Sequence, residues 1–365
     1  MSTFRNRIFL TYRTVGTRFG AWISPLLSFG LFLLLRLIIW LGQRLDGVLY
    51  RSFREMEIVQ PIVIVGNPRT GTTFLQRFLD ETGFGVGQQV WQQLYPSLII
   101  QWLFTPFLPI LDKISPARHH STVAHQTSLT SVETDDVSVF FRYFDGFFLY
   151  GFLLAHADED VLDWFDVQYR DNSARDFAWL RKLWRRNLVA RKHDRVVAKL
   201  FSVGANLKGF QEAFPDAKIL YMARDPLEMI PSGISLITGV LEKRFQFSSI
   251  PLEDRQRYCQ RMSTAFLELL RRFVEDWNTD QLNKSNIKIV PYTRLMGDFD
   301  RLMNEIADFV GHPLSEEQRQ KIIEQAQVQS NYQSKHQYDL AQFFLDEDVI
   351  REDSLFFYDF LHEVE

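Results

Sequence analysis

Short apolar runs alternate with segments of helical period along most of this chain. The stretches "PIVIV" (61–65), "RVVAKL" (195–200), "AKILYM" (217–222) and "NIKIVPY" (286–292) read as strands. "FLQRFLDET", "ANLKGFQEAF", "PLEMIPSGISLITGV" and "DFDRLMNEIADFVG" read as helices, with Pro226 suited to a first helical position. In 255–277, Tyr258, Met262, Phe266, Leu269, Leu270, Phe273 and Trp277 fall on one side of a long amphipathic helix. Short, mainly apolar strands, separated by helices, predict an α/β fold: a central parallel sheet covered by helices on both faces, in three layers. Ligands of such a sheet sit beyond the carboxyl ends of its strands.

Several segments depart from this alternation. Residues 21–41, "AWISPLLSFGLFLLLRLIIWL", hold 16 apolar residues in 21. As a helix they span about 31 Å, enough to cross a hydrocarbon core. Arg36 interrupts the run near one end, where a long side chain can snorkel. The "GQRLDG" that follows lacks a small-residue cleavage pattern, so a signal peptide fits poorly. We expect a single N-terminal membrane anchor, a transmembrane helix, with a buried core helix as the alternative; a hairpin or in-plane helix would keep both flanks on one side. Four arginines precede it and Arg44, Arg51 and Arg54 follow, so the charge rule hardly chooses an orientation. Residues 82–111 contain no charged residue, but Pro96, Pro106 and Pro109 argue against one straight helix. Short helices at a membrane interface, or the walls of an apolar pocket, fit better. The aromatic run 137–155 reads as a buried core helix or, as the alternative, one in direct contact with lipid. The basic stretch 181–195 reads as a solvated helix face, or as one drawn to anionic headgroups. The expected organisation is a basic segment and anchor over 1–55 and one domain over 56–365, in which 82–160 forms an apolar, aromatic insertion.

Composition narrows the function classes. The formal charge of −4 on 365 residues gives no global field for nucleic acid. One cysteine, Cys259, excludes an intrachain disulfide and a cysteine-based zinc cluster. The eight histidines show no metal-ligand spacing, and no metal is expected.

The chemistry starts at "VGNPRTGTTFL" (65–75). Gly66 and Gly71 have the spacing of a phosphate-binding loop, G-x-x-x-x-G-K-[ST], but Thr72 stands where the lysine belongs. The basic residue is Arg69. Backbone N–H groups of a glycine-bounded loop that feeds a helix make an anion site, to which Arg69, Thr72 and Thr73 add donors. Without the lysine a magnesium nucleoside triphosphate fits less well than one phosphate with one further anionic group. A second arginine, Arg224, closes a strand in "YMARDPLEMIPSGISL", with Ser232 eight positions on. The two can grip a second phosphate.

This pair, in this order, resembles the sulfotransferases that use 3′-phosphoadenosine 5′-phosphosulfate (PAPS), in particular their large, mainly bacterial branch. There a "PRSGTT"-like loop holds the 5′-phosphosulfate, and the arginine of "RDP" with a serine eight residues later holds the 3′-phosphate. Here they read "PRTGTT" and "RDPLEMIPS". "FPDAKILYMARDP", "VPYTRLMGDF" and "SKHQYDLAQFFLDEDVI" are also similar, so that the resemblance runs from about residue 61 to 360. It implies a P-loop-like sheet fold and in-line transfer of a sulfuryl group from PAPS to a hydroxyl or amine. It places Arg69, Thr70, Gly71, Thr72 and Thr73 around the 5′ end, Arg224 and Ser232 at the 3′-phosphate and Tyr292 near the adenine. Lys199 stands where the family often has a lysine, although "KLFSVGAN" departs from its usual "KSP" or "KNP".

An acceptor hydroxyl must lose a proton, so a general base is expected. The segment 123–141 resembles one with a histidine and, some eight residues on, "PEED". His125 and Glu133 are therefore both candidates, with "VETD" in place of "PEED". Glu133, Asp135 and Asp136 also suit a simple first-turn role in the next helix. With the apolar segments, these features predict a membrane-associated sulfotransferase whose acceptor is amphipathic or lipid-like, a lipid, glycan or other small molecule, with its catalytic domain cytosolic in a bacterium. A P-loop kinase of small molecules and a non-catalytic nucleotide-binding membrane protein are the alternatives.

Overall fold

The computed structural model describes residues 2–114, 127–330 and 340–364. The chain divides into two compact units. One comprises Met1–Glu57, Gln88–Lys192 and Ile234–Met262. The other comprises Ile58–Gly87, His193–Gly233 and Ser263–Glu365.

The second unit carries the sheet. Strands β1 (Ile62–Val65), β2 (Val197–Lys199), β3 (Lys218–Ala223) and β4 (Ile287–Pro291) are all parallel, in the order β2-β1-β3-β4. Each coincides with a strand read from the sequence. All four side chains of β1 are wholly buried, as a central strand covered on both faces requires. Ile62, Ile64, Leu220 and Val290 pack with Leu75, Phe78 and Leu79 of helix Thr72–Glu81 and with Leu302, Met303 and Ile306 of helix Phe299–Phe309. On the opposite side Tyr221 stacks on Phe273 with ring centroids 3.4 Å apart, and Phe360 of the C-terminal helix Leu355–Val364 meets Phe273 edge-on. Helices thus cover both faces, which gives the expected three layers.

The first unit is helical among the described residues, apart from a single bridge between Gln89 and Val132. Two helices open it, α1 (Phe4–Phe19) and α2 (Ser24–Leu49). Gly20 ends α1 with φ 64°, and its N–H closes on the Val15 carbonyl. As the prolines predict, 82–111 breaks into short helices, Val90–Leu94, Leu98–Phe104 and the start of Leu108–Ile114.

Two buried carboxylates hold this unit together. Asp46, wholly buried near the end of α2, accepts from Ser97 Oγ (3.0 Å), from the backbone N–H of Leu98 and Ile99 (3.1 Å each) and from Arg186 Nε (3.1 Å). It therefore caps helix Leu98–Phe104 from a different helix. Arg186, expected on a solvated face, turns inward to meet it. Asp145 is surrounded by Arg7, Arg170 and Arg175. Burial alone would raise its pKa. The Arg170 hydrogen bond and the charges of Arg170, Arg7 and Arg175 outweigh burial and hold it below the usual carboxylate range.

His156 is the opposite case. Its ring is 2% exposed, stacked on Tyr258 at 4.0 Å and flanked edge-on by Phe19 and Phe247. Neither ring nitrogen has a hydrogen-bond partner among the described residues. Burial first, then the charges of Arg18, Arg257 and Arg261, push its pKa down to about 3. An unfolded histidine titrates near 6.5. Between roughly pH 6.5 and 3 the unfolded chain therefore holds a proton that the fold rejects, so acidification destabilises the fold by up to about 1.4 kcal/mol per pH unit. We predict that the melting temperature falls from pH 7 to pH 4 and that His156→Phe makes the fall shallower. Equal slopes in thermal melts of the two proteins would refute this origin.

Candidate functional site

The parallel order brings four strand ends of the second unit to one edge. β1 lies between β2 and β3, so the chain passes to one side of it to form β2 and then crosses back to its other side to form β3, which makes the carboxyl end of β1 the switch point of the sheet. The loop 66–71 starts there. Gly66 has φ 146°, and a Cβ on it would lie 2.7 Å from the Met222 carbonyl oxygen. Gly71 has φ 88°, and a Cβ there would strike the Leu295 side chain. Both glycines are thus required by backbone conformation and by close approach. Asn67 pins the loop from below, donating to the Phe266 carbonyl (2.9 Å), and Thr70 donates to the Asn67 carbonyl (2.8 Å). Arg69 sits at φ 75°, a left-handed conformation that costs a non-glycine residue about 1 kcal/mol or more.

Helix Thr72–Glu81 follows at once, with Gly71 as its N-cap and no side-chain cap. The N–H groups of its first turn lack intrahelical partners and carry the positive end of the helix dipole. Thr72 is buried, whereas Thr73 remains partly exposed and accepts a hydrogen bond from Lys199 Nζ at 2.7 Å. The register explains this pair. Lys199 is the last residue of β2 and lies opposite Ile64, next to the end of β1.

Arg224 follows β3 directly and Tyr292 follows β4 directly. The Arg224 guanidinium carbon lies 4.1 Å from the centroid of the Tyr292 ring. Its Nη1 donates to the Arg69 carbonyl at 2.6 Å, while Nε and Nη2 reach Glu228 at 3.1 and 2.9 Å. Arg69 Nε in turn donates to Ser232 Oγ at 3.0 Å. Ser232 lies two turns into helix Pro226–Phe245 and is 1% exposed.

The structure therefore brings together Arg69, Thr73, Lys199, Arg224, Ser232 and Tyr292 around the 66–71 loop. Arg69, Lys199 and Arg224 bring three positive charges, of which Arg224 pairs with the well-exposed carboxylate of Glu228. Unpartnered helix N–H groups, two guanidinium forks and an ammonium make an anion site with room in its donor inventory for two separate anionic groups. Sequence reasoning missed Asn67 and Glu228, which hold the loop and Arg224. The i, i+4 spacing from Arg224 to Glu228 on a predicted helix is a signal that could have found the second. Also missed was Tyr358, whose hydroxyl donates to Asp225 at 2.6 Å and ties the C-terminal helix to the start of helix Pro226–Phe245.

The candidate bases lie elsewhere in the chain. Glu133 belongs to the first unit, is 7% exposed and precedes helix Asp136–Tyr143. Its N–H donates to the Gln88 carbonyl (3.1 Å), and its carbonyl accepts from Gln93 Nε2 (3.2 Å). Thr134 and Trp184 donate to Asp136 (2.6 Å) and Asp135 (3.3 Å), and Asp135, at the N-cap, makes no side-chain capping bond. These buried acids are more than a solvated first helical turn. His125 lies outside the described residues.

Comparison with known proteins adds the family. Residues 61–316 match the sulfotransferase family. The omega-hydroxy-beta-dihydromenaquinone-9 sulfotransferases Stf3 of Mycobacterium bovis and Mycobacterium tuberculosis are 26% identical over 266 residues. That match covers 69% of this chain but 62% of those relatives' length. The crystal structure of sulfotransferase STF1 from Mycobacterium tuberculosis has a TM-score of 0.67 at 19% identity, covering 96% of this chain and 91% of that one. STF9 from Mycobacterium avium gives 0.66 at 15% identity, over 87% and 80%. These structures share the fold. With the family match spanning more than half its length, the chain belongs to the sulfotransferase family.

Proposed function

We propose that this protein transfers a sulfuryl group from PAPS to the hydroxyl of a lipid-like acceptor at a membrane. The observation that carries the reading is the meeting of Arg69, Thr73 and Lys199 with Arg224, Ser232 and Tyr292 at the carboxyl ends of adjacent parallel strands. The first three, with the N–H groups of Thr70, Gly71 and Thr72, suit the 5′-phosphosulfate. Arg224 and Ser232 suit the 3′-phosphate, and the Tyr292 ring offers a stacking face for the base. We assign 56–365 to the catalytic domain, with 82–160 on the acceptor side, and 1–55 to attachment. The membrane face would be the cytosolic one in a bacterium, where the donor is made.

In the transfer, the bond between sulfur and the bridging phosphate oxygen breaks as the acceptor oxygen bonds to sulfur. Adenosine 3′,5′-bisphosphate leaves, and the acceptor proton passes to a base. Lys199 and Arg69 stabilise charge on the leaving and equatorial oxygens, the part of the barrier that positioned cations lower most. Glu133 is our choice of base, with His125 the other candidate. The acceptor assignment draws on the uncharged 82–111 segment and on the hydroxylated menaquinone in the name of Stf3.

Calorimetric titration tests the donor site. Adenosine 3′,5′-bisphosphate should bind without magnesium, and Arg224→Ala should weaken it at least tenfold, about 1.4 kcal/mol. Magnesium-dependent ATP binding that is indifferent to Arg224 would instead make the loop a nucleoside triphosphate site. Glu133→Gln should lower kcat by about 10²–10⁴-fold while bisphosphate affinity stays unchanged. Full sulfation of a hydroxylated polyprenyl quinone by that variant would remove Glu133 as the base.

A further inference from the structure

Helix α2 is long and apolar enough to cross a bilayer, with a mean hydropathy of 2.0 in its best window and only 11% of that window buried. Its 26 residues span roughly 39 Å. Its contacts nevertheless tie it to the first unit from one end to the other. In the turn just before it, Trp22 packs edge-on against Tyr12 of α1 (5.6 Å) and lies so close to Gly16 that a Cβ there would overlap its ring. In the middle, Phe32 meets Phe144 (6.1 Å), and the Arg36 guanidinium lies 5.6 Å from the rings of Phe4 and Phe32. Towards the end, Ile39, Gly42 and Asp46 form a buried stripe. A Cβ at Gly42 would lie 2.6 Å from Ser97 Oγ, and Asp46 is clasped by Ser97, Leu98, Ile99 and Arg186.

The helix before it is docked on the same unit. Arg7 donates to the Phe144 carbonyl (2.8 Å) and pairs with Asp145. Arg18 donates to the His156 carbonyl (3.2 Å) and to Asp254 (2.9 Å), and it pairs with Asp158. A spanning helix must place its two flanks on opposite sides of about 30 Å of hydrocarbon. Here both flanks bind one folded unit through buried or half-buried ion pairs. Spanning would break the Arg7 and Arg18 contacts or the Asp46 clasp, and it would leave charges without partners.

The face that α2 leaves open is apolar. Leu27, Leu31, Leu34 and Leu45 are each more than half exposed, and so are Trp102 and Ile110 on 98–114, the segment that Asp46 staples to α2. The charge beside this face is mainly positive, although exposed Glu55 and partly exposed Asp112 border it and Arg13 pairs with Asp158. Residues 1–45 contain no aspartate or glutamate, and Arg5, Arg13, Arg44, Arg51 and Arg54 are exposed. Arg44 lies over Trp40 at 5.0 Å, an aromatic and a cation together as at a headgroup boundary. A second copy of the chain is a poor occupant, because a two-fold pair would set this basic rim against itself. An anionic bilayer surface complements both the apolar face and the rim.

We infer that the protein is monotopic: α2 and 98–114 form one platform that enters a single leaflet of an anionic membrane, with α2 lying along the surface. This rests on the membrane reading above and is independent of the donor and the acceptor. Flotation of the full chain with phosphatidylcholine–phosphatidylglycerol vesicles tests that reading, and labelling tests the inference. Arg5→Cys and Ser52→Cys, placed singly in a Cys259→Ser background, flank α2 at exposed positions. A membrane-impermeant maleimide applied to spheroplasts and to inverted membrane vesicles should reach both from the same side. Labelling from opposite sides, in a protein that floats, would overturn the in-plane helix and leave membrane association standing. Leu31→Glu with Trp102→Glu should lower the vesicle-bound fraction at least tenfold with unchanged circular dichroism. Unchanged flotation of that variant would remove the platform. Absence of flotation in the unmodified protein, with a dimer in solution, would show that a second copy covers the face and refute the inference together with the membrane reading.

Discussion

Parallel pairing is the constraint on which the candidate site depends. When all strands run the same way, all their carboxyl ends reach one edge, and each chain segment leaving that edge starts with a loop or a helix N-terminus. In this chain four residues or loops far apart in sequence therefore meet: Lys199 after β2, 66–71 after β1, Arg224 after β3 and Tyr292 after β4. No one of these residues makes an anion site alone. The register joins them, because Ile64 faces Lys199 and Ala223 faces Pro291. A one-residue slip at β2 would turn Lys199 to the other face of the sheet and break its bond to Thr73.

The first unit is organised differently. Among its described residues it has no sheet to set its geometry, and it relies on buried charges with several partners each. A buried carboxylate that loses its partner costs about 3–5 kcal/mol, whereas a fully bonded one is close to neutral for stability. Asp46 and Asp145 therefore act mainly by excluding alternatives. Any arrangement of α2, helix Leu98–Phe104 and Arg186 that does not satisfy the Asp46 carboxylate is penalised. The same holds for α1 around Asp145. His156 shows the complementary solution, since its uncharged ring is kept among aromatics with no hydrogen-bond partner on either nitrogen among the described residues.

The fold of the second unit was legible because local and global signals agree there. Runs such as "PIVIV" have one stable use in a soluble sheet, and the glycine-bounded loop after it has few others. Arg69, Arg224 and Ser232 could be named from spacing, and the structure brings them into contact. What could not be read were partners at long range. Nothing local in "QRLDGV" says that Asp46 is wholly buried, because its burial depends on Ser97 and Arg186, 51 and 140 positions away. The basic run 181–195 misled at Arg186 for the same reason, although Lys182 and Lys192 are exposed as expected. Helical spacing shows which residues share a face and not what covers that face, and Arg186 turned out to face Asp46. The 21–41 run was legible as apolar, but whether such a helix spans or lies flat is set by what its flanks hold, and that is a tertiary property.

The missing loop lysine follows from the same geometry. In a triphosphate loop one cation at the helix start serves phosphates that are bonded in a row. Here the first helical residue, Thr72, is buried, and the positive charges come from three other directions: Arg69 within the loop, Lys199 from β2 and Arg224 from β3. Charge spread over a sheet edge suits a ligand whose anionic groups are apart, as the 3′-phosphate and the 5′-phosphosulfate of the proposed donor are. A second arginine fork at β3 would be idle with a linear triphosphate. With the proposed donor that fork has a second anionic group to meet, and Lys199 on the neighbouring strand supplies the positive charge next to the helix start where Thr72 stands.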